Sequence, residues 1–391
     1  MRLDETYKFA AEHQNQDTDK LLLASQKYPE IDMRTAVTQI LSRRAIKDKL
    51  PEWFSNSEIR YPSKLATEQC SSEITSKYKA SLAIGSTLCD LTGGLGVDTT
   101  AFSKVVDKVD YYERFAEYCI AAEHNFKALQ CNNITIHNQD FRDNIDNIYA
   151  DTIYVDPARR GTKSERLFSL NEYEPNIIEL KEKLLTQSSR LIVKVSPMAD
   201  ISAICSDLPE IYEIHIVSVK NECKELLLIA QNQIATDRKI VTINFKTPET
   251  FDRFEFSLKE ESSLDTLYAT QVGKYIYEPN ASVMKSGGFK SITNRYDTYQ
   301  IGRNSHLYTS DNPIPNFPGR GFKVEQTIDF SSKWLKSAKK EFPKANIAVR
   351  NFPLSVAEIR KASKIGDGGD IYIFATTISE DKKVIIITTK E

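Results

Sequence analysis

The stretch that most constrains this chain is residues 88–98, Leu-Cys-Asp-Leu-Thr-Gly-Gly-Leu-Gly-Val-Asp. A short apolar run reaches an acid at Asp90. Gly93, Gly94 and Gly96 then permit a tight turn and a close backbone approach to a ligand. A helical pattern begins near Asp98. Strand, glycine turn and helix in that order form a ligand cradle in an α/β sheet. The weight of the motif rests on whether further strands and polar groups stand downstream of it at the right distances.

Residues 87–195 supply them as a run of alternating elements. Strands are expected at about 87–91, 105–112, 134–137, 151–155 and 190–195. Helical patterns fall between them, through 102, over 115–129 and over 176–187, while residues 161–172 form a long polar piece. Strands separated by helices imply a parallel sheet covered on both faces. Two more strands, 212–219 and 225–230, flank Lys220-Asn-Glu-Cys-Lys224. That gap is too short for a crossover helix, so a terminal antiparallel hairpin is expected.

Upstream, residues 1–61 read as short helices. Arg43, Arg44, Lys47 and Lys49 lie on the last of them, as a solvated face or as a substrate-facing edge. A further helical pattern covers 68–83, in which Glu68–Glu73 and Lys79 either fold over the ligand or pack as an ordinary helix. Downstream, 239–246 and 254–258 look like a hairpin or bridge, and a less regular segment opens at Tyr275. Pro313, Pro315 and Pro318 with Gly319 and Gly321 predict a stiff exposed connector over 311–321. The reading is α/β, a mostly parallel Rossmann-like sheet with a small α+β tail. The expected domains are 1–61 (helical), 62–235 (ligand-binding sheet), 236–321 (bridging) and 322–391 (α+β).

Net charge is -2, so no overall field draws the chain to a polyanion, but its distribution is uneven. Residues 331–391 hold 12 Lys/Arg against 7 Asp/Glu, which leaves -7 for the rest. The six cysteines show no CxxC and no regular spacing, as expected of reduced thiols in a cytoplasmic protein without a structural metal. No run approaches 18 apolar residues, so no membrane span is expected.

Each candidate polar group stands where a strand should end: Asp90, Glu113, Asp140 and Asp156. In a parallel sheet those ends border the ligand crevice. Glu113 suits the two hydroxyls of a ribose. Asp140 suits an adenine amino group, with Phe141 stacking beside the ring. Asp90, next to the turn, suits an ammonium group, which a dinucleotide pyrophosphate lacks. With neither GxGxxG nor GxxxxGK[ST] in the chain, these acids point to S-adenosylmethionine.

Glu68-Gln69, Ser71-Ser72-Glu73, Tyr78-Lys79-Ala80, Asp90 to Asp98, Asp156-Pro-Ala-Arg-Arg-Gly161, Tyr277-Glu-Pro-Asn280 and Asp367-Gly-Gly-Asp370 together carry a family resemblance. Residues 62–235 resemble class I S-adenosylmethionine-dependent methyltransferases. The whole chain is similar to the bacterial group of methyltransferases with a THUMP-like C-terminal domain. The resemblance implies that Asp90, Thr92, Gly93, Gly94 and Gly96 bind the methionine portion, Glu113 the ribose and Asp140 the adenine. It also implies that Asp156 opens the catalytic loop. THUMP domains proper bind RNA, which makes RNA the expected partner.

The loop limits the chemistry. Amino-group methyltransferases of purines commonly stack an aromatic after Asp-Pro-Pro, but position 159 is arginine. Uridine C5 methyltransferases need a cysteine after the fifth strand, and Val195-Ser-Pro-Met-Ala199 has none. The remaining chemistry is transfer in which Asp156 positions or deprotonates the acceptor while Arg159 and Arg160 neutralise phosphate or carboxylate. The expected activity is RNA methylation without a metal. A small-molecule or protein methyltransferase, or a non-catalytic binding module, are the alternatives.

Overall fold

Leu191, Ile192 and Val193 are consecutive and have no exposed surface, the mark of a strand covered on both faces. They belong to a sheet seen in a computed structural model that describes residues 3–159 and 170–391. The chain divides into two units, Met1–Tyr212 with Leu227–Ala235 and Glu213–Leu226 with Thr236–Glu391.

In the first unit β1 (Thr87–Asp90), β2 (Lys108–Tyr112), β3 (Ile134–His137) and β4 (Ala150–Val155) precede an antiparallel pair, β5 (Ala158–Arg159) and β6 (Tyr173–Glu174), and then β7 (Ser188–Val195). The order β3-β2-β1-β4-β7 is parallel throughout, as the sequence predicts. Tyr212 and Ile229 pack with Leu88, Phe102, Val109, Tyr154 and Ile192 into its core. This is the Rossmann-like sheet expected from the glycine turn and the alternating elements.

Two local differences come from capping, which hydrophobic periodicity does not register. The helical run over 68–83 is broken into Lys64–Gln69 and Glu73–Ala80. Ser63 Oγ accepts from Ala66 N at 3.1 Å and Ser72 Oγ from Thr75 N at 3.2 Å, so each serine starts its own helix. The break places Gln69, Cys70 and Ser71 beside the glycine turn. In the N-terminal helices Lys47 is exposed, but the other three basic residues of 43–49 serve as struts. Arg43 donates to the carbonyls of Asn56 and Phe54, Arg44 to those of Gln14 and Gln16, and Lys49 to those of Thr67 and Glu68.

The second unit begins with β8 (Ile211–Val219), whose residues from Glu213 on lie in it. β9 (Glu222–Ala230) starts three residues earlier than its expected position at 225. Lys220 and Asn221 take φ of 51° and 63°, so the turn needs only two residues and Glu222 already joins the strand. β10 (Lys239–Phe245) runs parallel to β8 and antiparallel to β11 (Phe251–Ser257).

The same unit holds a seven-stranded sheet: β12 (Tyr275–Pro279), β13 (Tyr299–Gln300), β14 (Tyr308–Ser310), β15 (Gly319–Asp329), β16 (Asn346–Arg350), β17 (Ile371–Thr377) and β18 (Lys383–Lys390), in the order β13-β14-β12-β15-β18-β17-β16. The helices Ser332–Glu341 and Val356–Ser363 cover one face through Trp334, Leu335, Ala338 and Ile359. The expected exposed connector holds over 311–316, where most residues are exposed, but gives way at 317. Phe317 is buried against Tyr277, and β15 begins at Gly319. A Cβ at Gly319 would lie 2.1 Å from the carbonyl oxygen of Glu278, so only glycine allows these strands to pair so closely. Glu278 is nearly fully buried. It accepts from Arg320 Nε at 3.1 Å and pairs with Arg350 Nη2 at 2.6 Å, tying the ends of β12, β15 and β16. Among the described residues no helix is long and apolar enough to cross a membrane.

The deepest polar feature of the first unit is the pair Lys79–Asp98. Lys79 is fully buried, with its Nζ 3.2 Å from Asp98 Oδ1 and donating to Ser71 Oγ at 2.8 Å. Removing one member of a buried pair leaves the other uncompensated. Lys79→Met should therefore cost about 3–5 kcal/mol, measured as a lower urea midpoint at constant m. Adding Asp98→Asn in that background should restore part of the loss.

Candidate functional site

The glycine turn is held from below. Leu91 N donates to Tyr154 O at 3.0 Å, Gly93 N to Tyr112 O at 2.9 Å, and Tyr111 Oη to Gly94 O at 2.6 Å. A Cβ on Gly93 would stand 2.1 Å from the Tyr111 ring, so that position must be bare. Gly96 has φ 84° and lies against Phe126. Gly94, at φ 53°, has only the Thr92 carbonyl near its Cβ position, at 3.8 Å. It therefore shows an open face to the cleft.

The cleft has two adjoining compartments, about 140 and 270 Å³ in volume. Asp90, Gly93, Gly96, Asp98 and Tyr154 line the first. Glu113, Phe115, Asp140, Phe141, Arg142 and Glu174 line the second. Gln69, Thr92, Gly94, Tyr118 and Asp156 line both and so mark the junction. Asp156 and all eight residues expected to hold a cofactor thus border one cleft. Arg159 lies in β5 opposite Tyr173 of β6, and Arg160 falls outside the described residues.

At the closed end Asp90 is 1% exposed. It accepts from Thr99 Oγ1 at 2.6 Å and from Thr92 N at 3.2 Å. Burial pushes its carboxyl up to about 7. The neighbouring Asp98 and Asp156 add to the rise, against the two hydrogen bonds. Asp98 moves the other way. Burial raises it, but Lys79, Lys194 and hydrogen bonds from Tyr154 and Ser71 outweigh that and hold it below the usual range. Three carboxylates, Asp90, Asp98 and Asp156, thus face two lysines, Lys79 and Lys194. Among the described residues this end is one cation short once Asp90 is ionised.

Along the cleft Glu113 accepts from Gly94 N at 3.1 Å and from Phe115 N at 2.8 Å. Among the described residues no further group donates to it, which leaves two of roughly four carboxylate lone pairs open. Asp140 accepts from Arg142 N, Nε and Nη2 at 3.0, 2.9 and 2.6 Å, and the arginine's grip holds its carboxyl below the usual range. Arg142 also reaches Glu174 of β6 at 2.5 Å. Phe141 is 4% exposed, whereas Phe115 is half exposed at the same compartment. At the junction Asp156 N donates to Thr92 Oγ1 at 2.6 Å, and Asp156 Oδ2 lies 2.6 Å from Lys194 Nζ.

Gln69, Cys70 and Ser71, within the segment 68–73 expected to fold over the ligand, line the first compartment, but sequence reasoning did not select Tyr118, Phe115 or Glu174. Their cleft positions depend on how helices and the β5–β6 pair meet the strand ends, for which no motif exists. Lys79, read either as a lid or as packing, is a buried support. The Cys70 thiol is pushed up by burial, more than the nearby Lys49 lowers it, and donates to Thr67 O at 3.3 Å. It is a poor nucleophile. Among the described residues no cluster of three or more His, Cys, Asp or Glu could hold a metal ion.

A family profile described as a ferredoxin-like domain matches residues 275–318, and one described as THUMP domain-like matches 319–390. The crystal structure of a candidate methyltransferase from Porphyromonas gingivalis W83 is 36% identical. It superposes with a TM-score of 0.91 over 99% of this chain and 97% of that one. An rRNA methylase from Streptococcus thermophilus aligns at 14% identity over 41% of this chain and 95% of its own, with a TM-score of 0.29, a likeness too low to carry weight. No curated protein matches the chain.

The buried acid sets a pH dependence. Asp90 has a folded pKa of about 7 against the ordinary 3.8, so folding favours its protonated form. That advantage is complete below about pH 4 and is lost as pH rises through 7. Asp90→Asn should therefore gain stability relative to wild type between pH 5 and 8, by on the order of 2–4 kcal/mol. Urea unfolding at the two pH values measures the difference.

Proposed function

Because this chain belongs to the class I S-adenosylmethionine-dependent methyltransferases with a THUMP-like C-terminal domain, we propose that it methylates RNA, with Asp156 as the residue that receives the acceptor. The observation that carries the reading is the closed end of the cleft, one cation short among the described residues, leading to a second compartment with Asp156 between them. A ligand with a positive amino-acid end and a nucleoside body fits that pattern.

In this reading Asp90 takes the ammonium group, and the open face of Gly94 with Thr92, Gly93 and Gly96 admits the methionine portion. Glu113 uses its open lone pairs for the ribose hydroxyls. Asp140 has one lone pair beyond those engaged by Arg142 and offers it to the adenine amino group, with Phe141 lining the ring's seat. The cofactor, when bound, supplies a methyl already activated on a sulfonium. The chain's own task is then placement and proton control. Asp156 accepts a hydrogen bond from the acceptor's N–H or O–H and takes its proton. Arg159 and Arg160 lie just beyond it in sequence and would meet the phosphate of a polynucleotide. A cysteine adduct is not invoked, since the thiol at the cleft is held protonated. The basic tail, 12 Lys/Arg against 7 Asp/Glu over 331–391, supports RNA over a small acceptor.

The test is to incubate the pure protein and radiolabelled S-adenosylmethionine with undermodified total RNA, protein extract and metabolites separately. Label should appear in RNA and fall by about 10²–10⁴-fold with Asp156→Ala. Label confined to protein or metabolites would refute an RNA acceptor, and an unchanged Asp156→Ala rate would refute the site. Asp90→Asn should weaken S-adenosylmethionine binding by tenfold or more (roughly 1.4 kcal/mol) by calorimetry, although it stabilises the fold above pH 7.

A further inference from the structure

Lys194 is the second-last residue of β7 and stands behind Asp156 rather than in the lining of either compartment. The parallel register pairs Val155 with Val193, so the next residues, Asp156 and Lys194, emerge side by side at the strand ends. Lys194 Nζ lies 2.6 Å from Asp156 Oδ2, with its side chain 16% exposed beside an Asp156 side chain that is 34% exposed. Its charge also reaches Asp98, whose carboxyl it helps hold down. Asp156 is fixed at a second point, its backbone N–H donating to Thr92 Oγ1 at 2.6 Å. Oδ2 and the amide are thus both engaged. Oδ1 has no hydrogen-bond partner among the described residues and belongs to a residue that lines both compartments.

We propose that Lys194 is a positioning and specificity residue that fixes Asp156 so that Oδ1 receives the acceptor, and that it restricts the acceptor to neutral N–H or O–H groups. Geometry supplies the first half. A carboxylate held through one oxygen and its own backbone amide has little rotational freedom left, and loss of about 1 Å of alignment costs up to 10²-fold in rate. Charge supplies the second half. The Asp156–Lys194 pair has no net charge, so it offers an alkylammonium no strong attraction. An alkylammonium must also lose a proton before it has a lone pair to react. A nucleobase amino or imino group, or a ribose hydroxyl, meets neither obstacle.

The inference rests on the methyltransferase reading but not on RNA being the acceptor. Wild type, Lys194→Met and Lys194→Arg are compared on whichever fraction wild type labels. Lys194→Met should lower kcat by about 100-fold, with the S-adenosylmethionine dissociation constant, measured by calorimetry without acceptor, unchanged. Lys194→Arg, which keeps the cation, should restore most of the rate. Thermal melting of each variant reports whether the fold survives. An unchanged kcat in Lys194→Met, or a Lys194→Arg no better than Lys194→Met at equal melting temperature, overturns the positioning role. Weaker cofactor binding in Lys194→Met also overturns it, by moving the residue to the cofactor side. Label on lysine ε-amino groups overturns the acceptor restriction. Label on a neutral group outside RNA sinks the RNA reading alone, and no label in any fraction from wild type ends both.

Discussion

Everything at the cleft's closed end depends on the buried ion pair between Lys79 and Asp98. Asp98 is the second residue of the helix that leaves the glycine turn, and Lys79 belongs to the helix that precedes β1. Their contact, joined by Ser71 and by the Tyr154 hydroxyl at 2.8 Å, locks helix, strand and turn together. A pair so deep is weak evidence of stabilisation, because desolvating two charges costs several kcal/mol per ion. Its effect is to fix a field. With Asp98 satisfied, Asp90 is left as the acid whose ionisation is costly, a cost that a cation arriving from solvent would relieve.

The same logic of one acid serving several partners recurs in the second unit. The two family-profile segments, 275–318 and 319–390, are halves of one sheet, since β12 of the first pairs with β15 of the second. Glu278 closes that seam with Arg320 and Arg350, one guanidinium from the neighbouring strand and one from the far edge of the sheet order. The Tyr277-Glu-Pro-Asn280 motif, conspicuous in sequence but without catalytic meaning there, thus gains a structural one.

Periodicity and strand-end acids were legible in the sequence because both arise from chain geometry alone. A period of two or 3.6 marks an element, and a polar residue at the end of a parallel strand must face the crevice. Breaks that depend on a single side-chain hydrogen bond were not legible, as with Ser72 capping a new helix inside an apparently continuous one. Nor was the burial of Phe317 and Pro318 at the end of the proline-rich 311–321 stretch. Proline and glycine announce a turn, yet whether that turn is covered depends on Tyr277 and its neighbours. The basic run at 43–49 shows a third limit, since charge in sequence does not tell solvent from a nearby carbonyl.

By itself, then, the sequence determined the sheet, the order of its strands' polar ends and the identity of the acids beside the glycine turn, because local hydrogen bonding and hydrophobic burial leave an α/β chain few alternatives. Only the tertiary structure decided how those acids differ. Asp90 is driven toward neutrality, Asp98 is held ionised and Asp156 is shared with Lys194. The reason is that ionisation depends on desolvation and on charges a few ångströms away in space, and those neighbours come from residues as distant in sequence as 79 and 194.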